Sequence, residues 1–251
     1  EVKDTPRAAN HVLDFLSSLY GQAQAAGLVP EGFNPTRRIK RFRIQPRQRF
    51  LTDDELARVG AILAEAEADD SADLHALAAI RLLIFTGCRR DEILKARWDW
   101  IDLDRGILSL PDSKTGAKPV VLSPPAIEVL RSLPRVAGNP HVIPGAKEGQ
   151  RRVSLREVWV KIRDSAALPP TTDASGKQKN VRLHDLRHSY ASLLAAGGAS
   201  LPMIGALLGH SNPSTTQRYA HLADDPLRQA AREAGERAAE VMSSRPNGAL
   251  Q

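Results

Sequence analysis

The chain has 251 residues, 42% of them apolar and only 4% aromatic, with a formal net charge of +6. That length allows one large or two small domains whose core is built from Leu, Ala, Val and Ile. The single cysteine, Cys88, excludes an internal disulfide, argues against a Cys-based zinc site and fits a reducing interior.

The positive charge favours an acidic partner, nucleic acid first. Neither a signal-peptide pattern nor an apolar run of about 18 residues occurs, so a soluble, non-exported, cytoplasmic protein is expected. The chain opens with Glu1 rather than methionine, as a piece of a longer protein would.

In chain order, residues 8–27 carry an apolar stripe at Val12, Leu13, Phe15, Leu16, Leu19 and Tyr20, which predicts a helix stopped by Gly27. Tyr20 lies on that stripe as a packed side chain. Residues 36–49 (TRRIKRFRIQPRQR) hold seven Arg or Lys and no acid. Such a run reads either as a solvated linker or as a strip lying along phosphates. A domain boundary is expected near residues 45–50.

TDDE at 52–55 is a capping box with Thr52 as N-cap. A mostly apolar helix follows over about 71–86, stopped by Gly87, and a further helix over about 90–96. Residues 107–123 predict two short strands around a turn with Thr115-Gly116 at its tip. Residues 124–133 and 154–167 read as helices after serine caps, and 169–180 as a flexible loop. Helices at about 184–196, 201–208 and 213–221 follow, the last capped by Asn212 with Pro213 at its first position. The segment 226–242 is a polar, Ala-rich helix that gains little from packing on its own body.

Chemistry concentrates in four places. In LHDLRHSYASLL (183–194), Leu183, Leu186, Tyr190, Leu193 and Leu194 make a core face. His184 and Arg187, three apart, are placed to reach one target together. His184 and His188 are spaced for a metal, but HDLRH lacks the glutamate of HExxH and its arginine would oppose a cation.

In TGCRRDEIL (86–94), Arg89 and Arg90 sit at a helix start that favours an anion, although Arg89 is also spaced to pair with Glu92. Lys114, at the hairpin turn, reads as a solvent-facing lysine or as a proton donor to a leaving oxygen. In LLGHSNPSTTQRYAHL (207–222), Tyr219 stands among polar residues and is expected off the core, free to touch a ligand. A phenol titrates near pH 10. Two arginines holding a phosphodiester beside it would favour the phenolate, and its attack on phosphorus would leave a phosphotyrosine link.

TGCRRDEIL, SKTGAKPVVLS, HDLRHSYAS and LGHSNPSTTQRYAH, in that order, resemble the tyrosine recombinase (phage integrase) family. The resemblance covers about residues 50–225. It implies a mainly α fold with a small antiparallel β-sheet or hairpin, the catalytic domain of that family. Three parts are expected: 1–46, the last helix of a truncated core-binding domain plus basic linker; 47–225, the catalytic domain; and 226–251, a C-terminal helix and tail docking on a neighbouring protomer.

It also implies a catalytic set of Arg89, Lys114 (with Lys118 as substitute), His184, Arg187, His210 and the nucleophile Tyr219. The implied activity is site-specific cleavage and rejoining of DNA for integration or excision, with no cofactor and no metal. The implied partners are double-stranded DNA, three further copies in a tetramer on DNA, and accessory DNA-bending proteins, with no membrane. Arg37, Arg38, Lys40, Arg41, Arg43 and Arg47 are the candidate DNA contacts. The competing readings are a type IB topoisomerase-like nicking enzyme, a Xer-like resolvase of chromosome dimers, and a DNA-binding regulator without catalysis.

Overall fold

The computed structural model describes residues 5–44, 49–69, 72–111, 116–173, 176–222 and 232–237. The chain divides into two compact units, 1–48 and 49–251.

The first unit is one helix and a return segment. Helix α1, Pro6–Ala25, starts with proline at its first turn, where the missing N–H costs nothing. None of its residues is fully buried, and Val12, Phe15 and Leu19 of the apolar stripe are exposed. Tyr20 is half-buried and packs edge-on against Phe33, ring centres 5.7 Å apart. The basic stretch runs back along the helix. Asn10 and the Phe42 backbone exchange two hydrogen bonds of 2.9 and 3.0 Å, and Arg41 pairs with Asp14 at 2.6 Å.

The second unit opens with a buried ion pair. Arg49 and Glu55 share two hydrogen bonds of 2.8 and 2.7 Å with both side chains out of water, so losing one partner would cost about 3–5 kcal/mol. The capping box forms: Thr52 Oγ1 accepts from Glu55 N, and Glu55 accepts from Thr52 N. Helix α2, Asp53–Glu67, follows. The Leu51 N–H donates to Ser189 Oγ at 2.8 Å, which ties the start of this unit to the helix that carries Arg187.

Helix α3, Leu74–Thr86, is apolar almost all round and is the centre of the fold. Such a helix is stable only when other elements cover every side. Here α4 (Arg90–Lys95), α5 (Pro124–Ser132), α6 (Arg156–Ser165) and α7 (Leu183–Ala196) do so together with α2. The Asp73 side chain caps α3. Ser123 precedes α5 without capping it and donates instead to the Phe85 carbonyl, whereas Ser154 Oγ accepts from Arg156 N–H at 3.1 Å at the start of α6, although Leu155 holds the N-cap position.

The expected hairpin is present as β2 (Ile107–Leu110) and β3 (Lys118–Val121), antiparallel with Leu108 opposite Val120. A two-residue strand, β1 (Ile101–Asp102), makes it three-stranded. Lys114 and Thr115, at the turn, lie outside the described residues, as does Arg47. The stretch expected as a loop at 169–180 is in part a ribbon, β4 (Thr171–Thr172) paired with β5 (Gln178–Lys179).

Helix α8, Leu201–Leu208, is capped by Ser200 and ends in left-handed Gly209. The segment expected as one helix over 213–221 is two 3-10 turns, Pro213–Thr215 and Gln217–Leu222; Asn212 does cap the first. Thr216, between the two turns, is buried. Leu193, expected in the core, is exposed, while Leu186 on the same face is fully buried and α7 also buries Asp185, Arg187, His188 and Ser189. No helix among the described residues is long and apolar enough to cross a membrane.

Candidate active site

Two helix ends and two backbone carbonyls assemble the site. Helix α3 ends at Gly87 with φ +61°, a conformation a side chain resists. A Cβ there would lie 2.3 Å from the Tyr190 ring, so the ring of α7 rests directly on the turn. Cys88 N donates to Thr86 Oγ1, and the chain then delivers Arg89. The anion at the start of α4 is the protein's own Glu92, which accepts from the Arg89 backbone and from Arg89 Nη1, both at 2.8 Å. Burial alone would raise the Glu92 pKa, but the Arg89 N–H and the Lys118 charge outweigh it and hold the carboxyl below its usual range. The Arg89–Glu92 ion pair and an anion-facing Arg89 are therefore compatible: one guanidinium nitrogen is held and the side chain stays 24% exposed.

Arg187 is only 4% exposed. Its Nη1 donates to the Gly87 carbonyl and its Nη2 to the Leu208 carbonyl, each at 2.7 Å. It thus binds the end of α3 to the end of α8. The Leu208 carbonyl also accepts from Lys118 Nζ at 3.4 Å, and Lys118 pairs with Glu92 at 3.1 Å. Arg89, Glu92, Lys118, Leu208 and Arg187 therefore form one continuous network, drawn from four elements. Lys118, the substitute lysine of the hairpin, lies inside it.

Gly209 completes the turn with φ +66°, and a Cβ on it would lie 2.9 Å from Lys118 Cδ. Gly209→Ala is therefore expected to cost about 1–2 kcal/mol from the left-handed backbone alone, and to push Lys118 off Glu92. Urea unfolding would read the first effect.

His210 follows this turn. Its Nδ1 lies 2.8 Å from Thr216 Oγ1, a buried hydroxyl, which fixes the ring. Burial, and then the charges of Arg187, Arg89, Arg218 and Lys118, lower its pKa to about 4. It is neutral at pH 7 and presents an uncharged polar edge. His184 has its ring open to solvent at the rim of the site. Partial loss of water, Arg187 and Arg182 also lower its pKa.

Tyr219 is not off the core. It is 4% exposed and packs in a cluster with Ala191, Ala195, Ile204 and Leu208. Its hydroxyl lies 2.7 Å from His188 Nδ1. Burial raises the phenol pKa, and the charges of Arg218 and Arg187 offset this only in part. With no phosphodiester in place, the phenolate is therefore disfavoured. In the sequence, His188 stands beside His184 and Arg187 at a metal-ligand spacing from His184, and nothing there points to it as the partner of Tyr219. Its spacing of four from His184, with Tyr219 on a distant segment, carried no signal for that contact.

Arg89 and His184 open onto a cleft of about 800 Å³. Arg90, Lys95, Arg156, Arg163 and Arg182 also line it, with Trp100 and Trp159 among the apolar walls. Arg90 is marked in the sequence with Arg89, while Lys95, Arg156, Arg163 and Arg182 are not. Arg156, Val160 and Arg163 at spacings of four and three on α6 were the available clue. Arg37, Arg38, Lys40, Arg41 and Arg43 are exposed on the first unit, with Arg41 engaged by Asp14.

Residues 49–225 match the model of the phage integrase family. Among curated proteins, the tyrosine recombinase XerC of Xanthomonas campestris is 33% identical over 175 residues, 68% of this chain and 51% of that one. The tyrosine recombinase XerD of Bifidobacterium longum is 30% identical over 188 residues, covering 70% and 59%. Among solved structures, XerA recombinase superposes with a TM-score of 0.54 at 25% identity over 92% of this chain and 83% of that one. A lambda integrase dimer bound to a COC′ core site (residues 75–356) gives 0.61 at 23% identity, covering 85% and 75%. The chain spans about half the length of the first of these curated relatives. On the family model and the XerC identity together, this chain belongs to the phage integrase family of tyrosine recombinases.

Proposed function

We propose that this protein is a site-specific DNA recombinase of the integrase type, acting through a 3′-phosphotyrosine at Tyr219. The observation that carries the reading is the convergence of Arg89, Arg187, Lys118 and His210 around the Leu208–Gly209 turn, beside a tyrosine under the field of Arg187. Arg89 and Arg187 neutralise the scissile phosphate and the charge that builds on it. Neutral His210 donates a hydrogen bond to a phosphoryl oxygen. His184, at the cleft rim, orients the site and helps to move protons.

The Tyr219 oxygen bonds to phosphorus as the bond to the 5′ oxygen breaks. A lysine ammonium, Lys114 or Lys118, protonates the leaving oxygen. A 5′-hydroxyl from another strand reverses the step and exchanges strands. The bond energy is kept in the phosphotyrosine, so cleavage is expected to survive EDTA and to need no ATP. Covalent trapping on a nicked substrate with and without EDTA tests this, and a requirement for added metal or nucleotide would contradict it.

The basic cleft and the exposed cations of 37–43 both suit a phosphate backbone. Each phosphate contact contributes a slope of about −0.9 in log affinity against log salt. Neutralising Arg37, Arg38, Lys40 and Arg43 together is expected to flatten that slope by up to about 4 units. Titrating labelled duplex at several salt concentrations reads it, and an unchanged slope would remove this segment from the DNA surface.

Residues 232–237 are helical and every one is exposed. This suits the reading of 226–251 as an arm for a neighbouring protomer in a tetramer on two DNA sites. Removing 226–251 should weaken assembly on DNA more than binding to a single site. Equal loss of both would dismiss the arm.

The XerC and XerD relatives favour a second reading, resolution of chromosome dimers. Sequencing the DNA ends of the trapped adduct separates the two. Ends at a mobile element fit an integrase, and one fixed chromosomal locus fits a resolvase. Supercoil relaxation without strand exchange would point instead to a topoisomerase-like enzyme.

A further inference from the structure

We propose that Thr216 is a positioning residue of the reaction: its hydroxyl fixes which nitrogen of His210 is left to face the scissile phosphate, and its carbonyl anchors the turn that carries Tyr219. The inference rests on the strand-exchange reading above. Thr216 makes and breaks no bond; it acts through His210 and the Tyr219 turn.

Thr216 is 2% exposed, although Ser214 and Gln217 beside it lie in water. A hydroxyl buried that far needs a partner, and its Oγ1 lies 2.8 Å from His210 Nδ1. Helix α8 makes the room. A Cβ on Gly205 would lie 3.1 Å from Thr216 Oγ1, so the bare glycine lets the hydroxyl in. The Gly205 carbonyl also accepts from His210 N–H at 2.9 Å, which holds the histidine from its backbone as well as its ring. On the other side, Thr216 N–H donates to the Pro213 carbonyl and the Thr216 carbonyl accepts from Tyr219 N–H, each at 3.0 Å. One residue therefore ties the imidazole to the turn of the phenol.

The place of the ring proton follows from hydrogen-bond accounting. With a pKa of about 4, His210 is neutral at pH 7, so one ring nitrogen donates and the other accepts. Among the described residues, Nδ1 is the partner of the Thr216 hydroxyl. Were Nδ1–H the donor, the hydroxyl proton would be buried without an acceptor, which folded proteins rarely tolerate. The hydroxyl donates, Nδ1 accepts, and the ring proton sits on Nε2. Nε2–H is then the donor left for a phosphoryl oxygen, and it is in place before DNA arrives.

Thr216→Val keeps the shape and removes the hydroxyl; Thr216→Ser keeps the hydroxyl. Single-turnover cleavage by the full chain would be measured on nicked trapping substrates carrying sulfur at one or the other non-bridging oxygen of the scissile phosphate. Sulfur accepts a hydrogen bond poorly, and the diastereomer that faces His210 is the one whose penalty vanishes in His210→Ala. On the all-oxygen substrate, T216V is expected to cleave about 10- to 10²-fold more slowly at unchanged DNA affinity, short of the roughly 10²–10³-fold that complete loss of a transition-state donor costs. The sulfur penalty should shrink in T216V, and T216S should restore both the rate and the penalty.

Full-rate cleavage by T216V, or T216S as slow as T216V, would overturn the assignment. An undiminished sulfur penalty in a slow T216V would reduce Thr216 to a packing residue and reject it equally. Nitrogen-15 spectra of the unsubstituted, DNA-free chain decide even if T216V does not fold. His210 should carry its proton on Nε2 with Nδ1 bare; a proton on Nδ1 would sink the inference and leave the strand-exchange reading standing. Absence of any adduct from the unsubstituted chain would instead remove that reading, and the positioning role with it.

Discussion

Tyr219→Phe is expected to abolish the covalent DNA adduct, a loss of at least about 10⁴-fold, as removal of a nucleophile does. The substitution is conservative for the fold. The ring keeps its packing against Ala191, Ala195, Ile204 and Leu208. Only the hydrogen bond to His188 goes, at about 0.5–1.5 kcal/mol. Duplex binding and thermal unfolding should therefore stay near those of the unsubstituted chain while trapping on a nicked substrate disappears. An adduct that persists in this variant would mean another residue attacks.

Arg187→Lys carries the second large effect, with two readouts that share one cause. The guanidinium spans two carbonyls, Gly87 and Leu208, with its paired nitrogens. A single ammonium cannot reproduce that fork. One buried carbonyl is left without a donor, at about 1–3 kcal/mol, which for a unit of this size lowers the melting temperature by roughly 2–4 °C per kcal/mol. The same fork sets the turn that carries Gly209 and His210, and its charge faces the phenol. Cleavage is therefore expected to fall about 10²–10³-fold, in the range seen when one transition-state donor is lost. Calorimetry beside single-turnover cleavage separates the two. A variant that melts lower yet cleaves at full rate would leave Arg187 a purely structural residue.

Much of this was legible in the sequence because it depends on short-range chemistry. The Thr52 box, the apolar helix before Gly87 and the Asn212 cap are each complete within a few residues, and each is present in the fold. Arg89, Arg187 and His210 were marked by motif; the network around the Leu208 carbonyl joins the two arginines, and His210 follows the same turn under their charge.

Tyr219 was marked but misplaced. Its chain neighbours are polar, so it read as exposed. Its actual packing partners are small residues of α7 and the inner side of α8, which no local pattern reports. A spacing of three between Tyr219 and Leu222 fits the 3-10 turn that points both inward, and was the one local sign available. Leu193 failed the other way: it is exposed while Leu186 of the same face is buried and Leu183, Tyr190 and Leu194 pack against the core, and α7 also buries Asp185, Arg187, His188 and Ser189, which apolar periodicity cannot rank. The ribbon of β4 and β5 and the strand β1 have two residues each, too short for any alternation to show.

Mapping the attachment point tests the whole arrangement most directly. The full chain would be trapped on a nicked duplex, digested with protease, and the DNA-linked peptide sequenced by mass spectrometry. One peptide is expected, bearing Tyr219 joined to a 3′-phosphate, with a free 5′ end on the released strand. Attachment at any other side chain, or to a 5′-phosphate, would show that the phenol held by His188 beside Arg187 is not where the strand is cut.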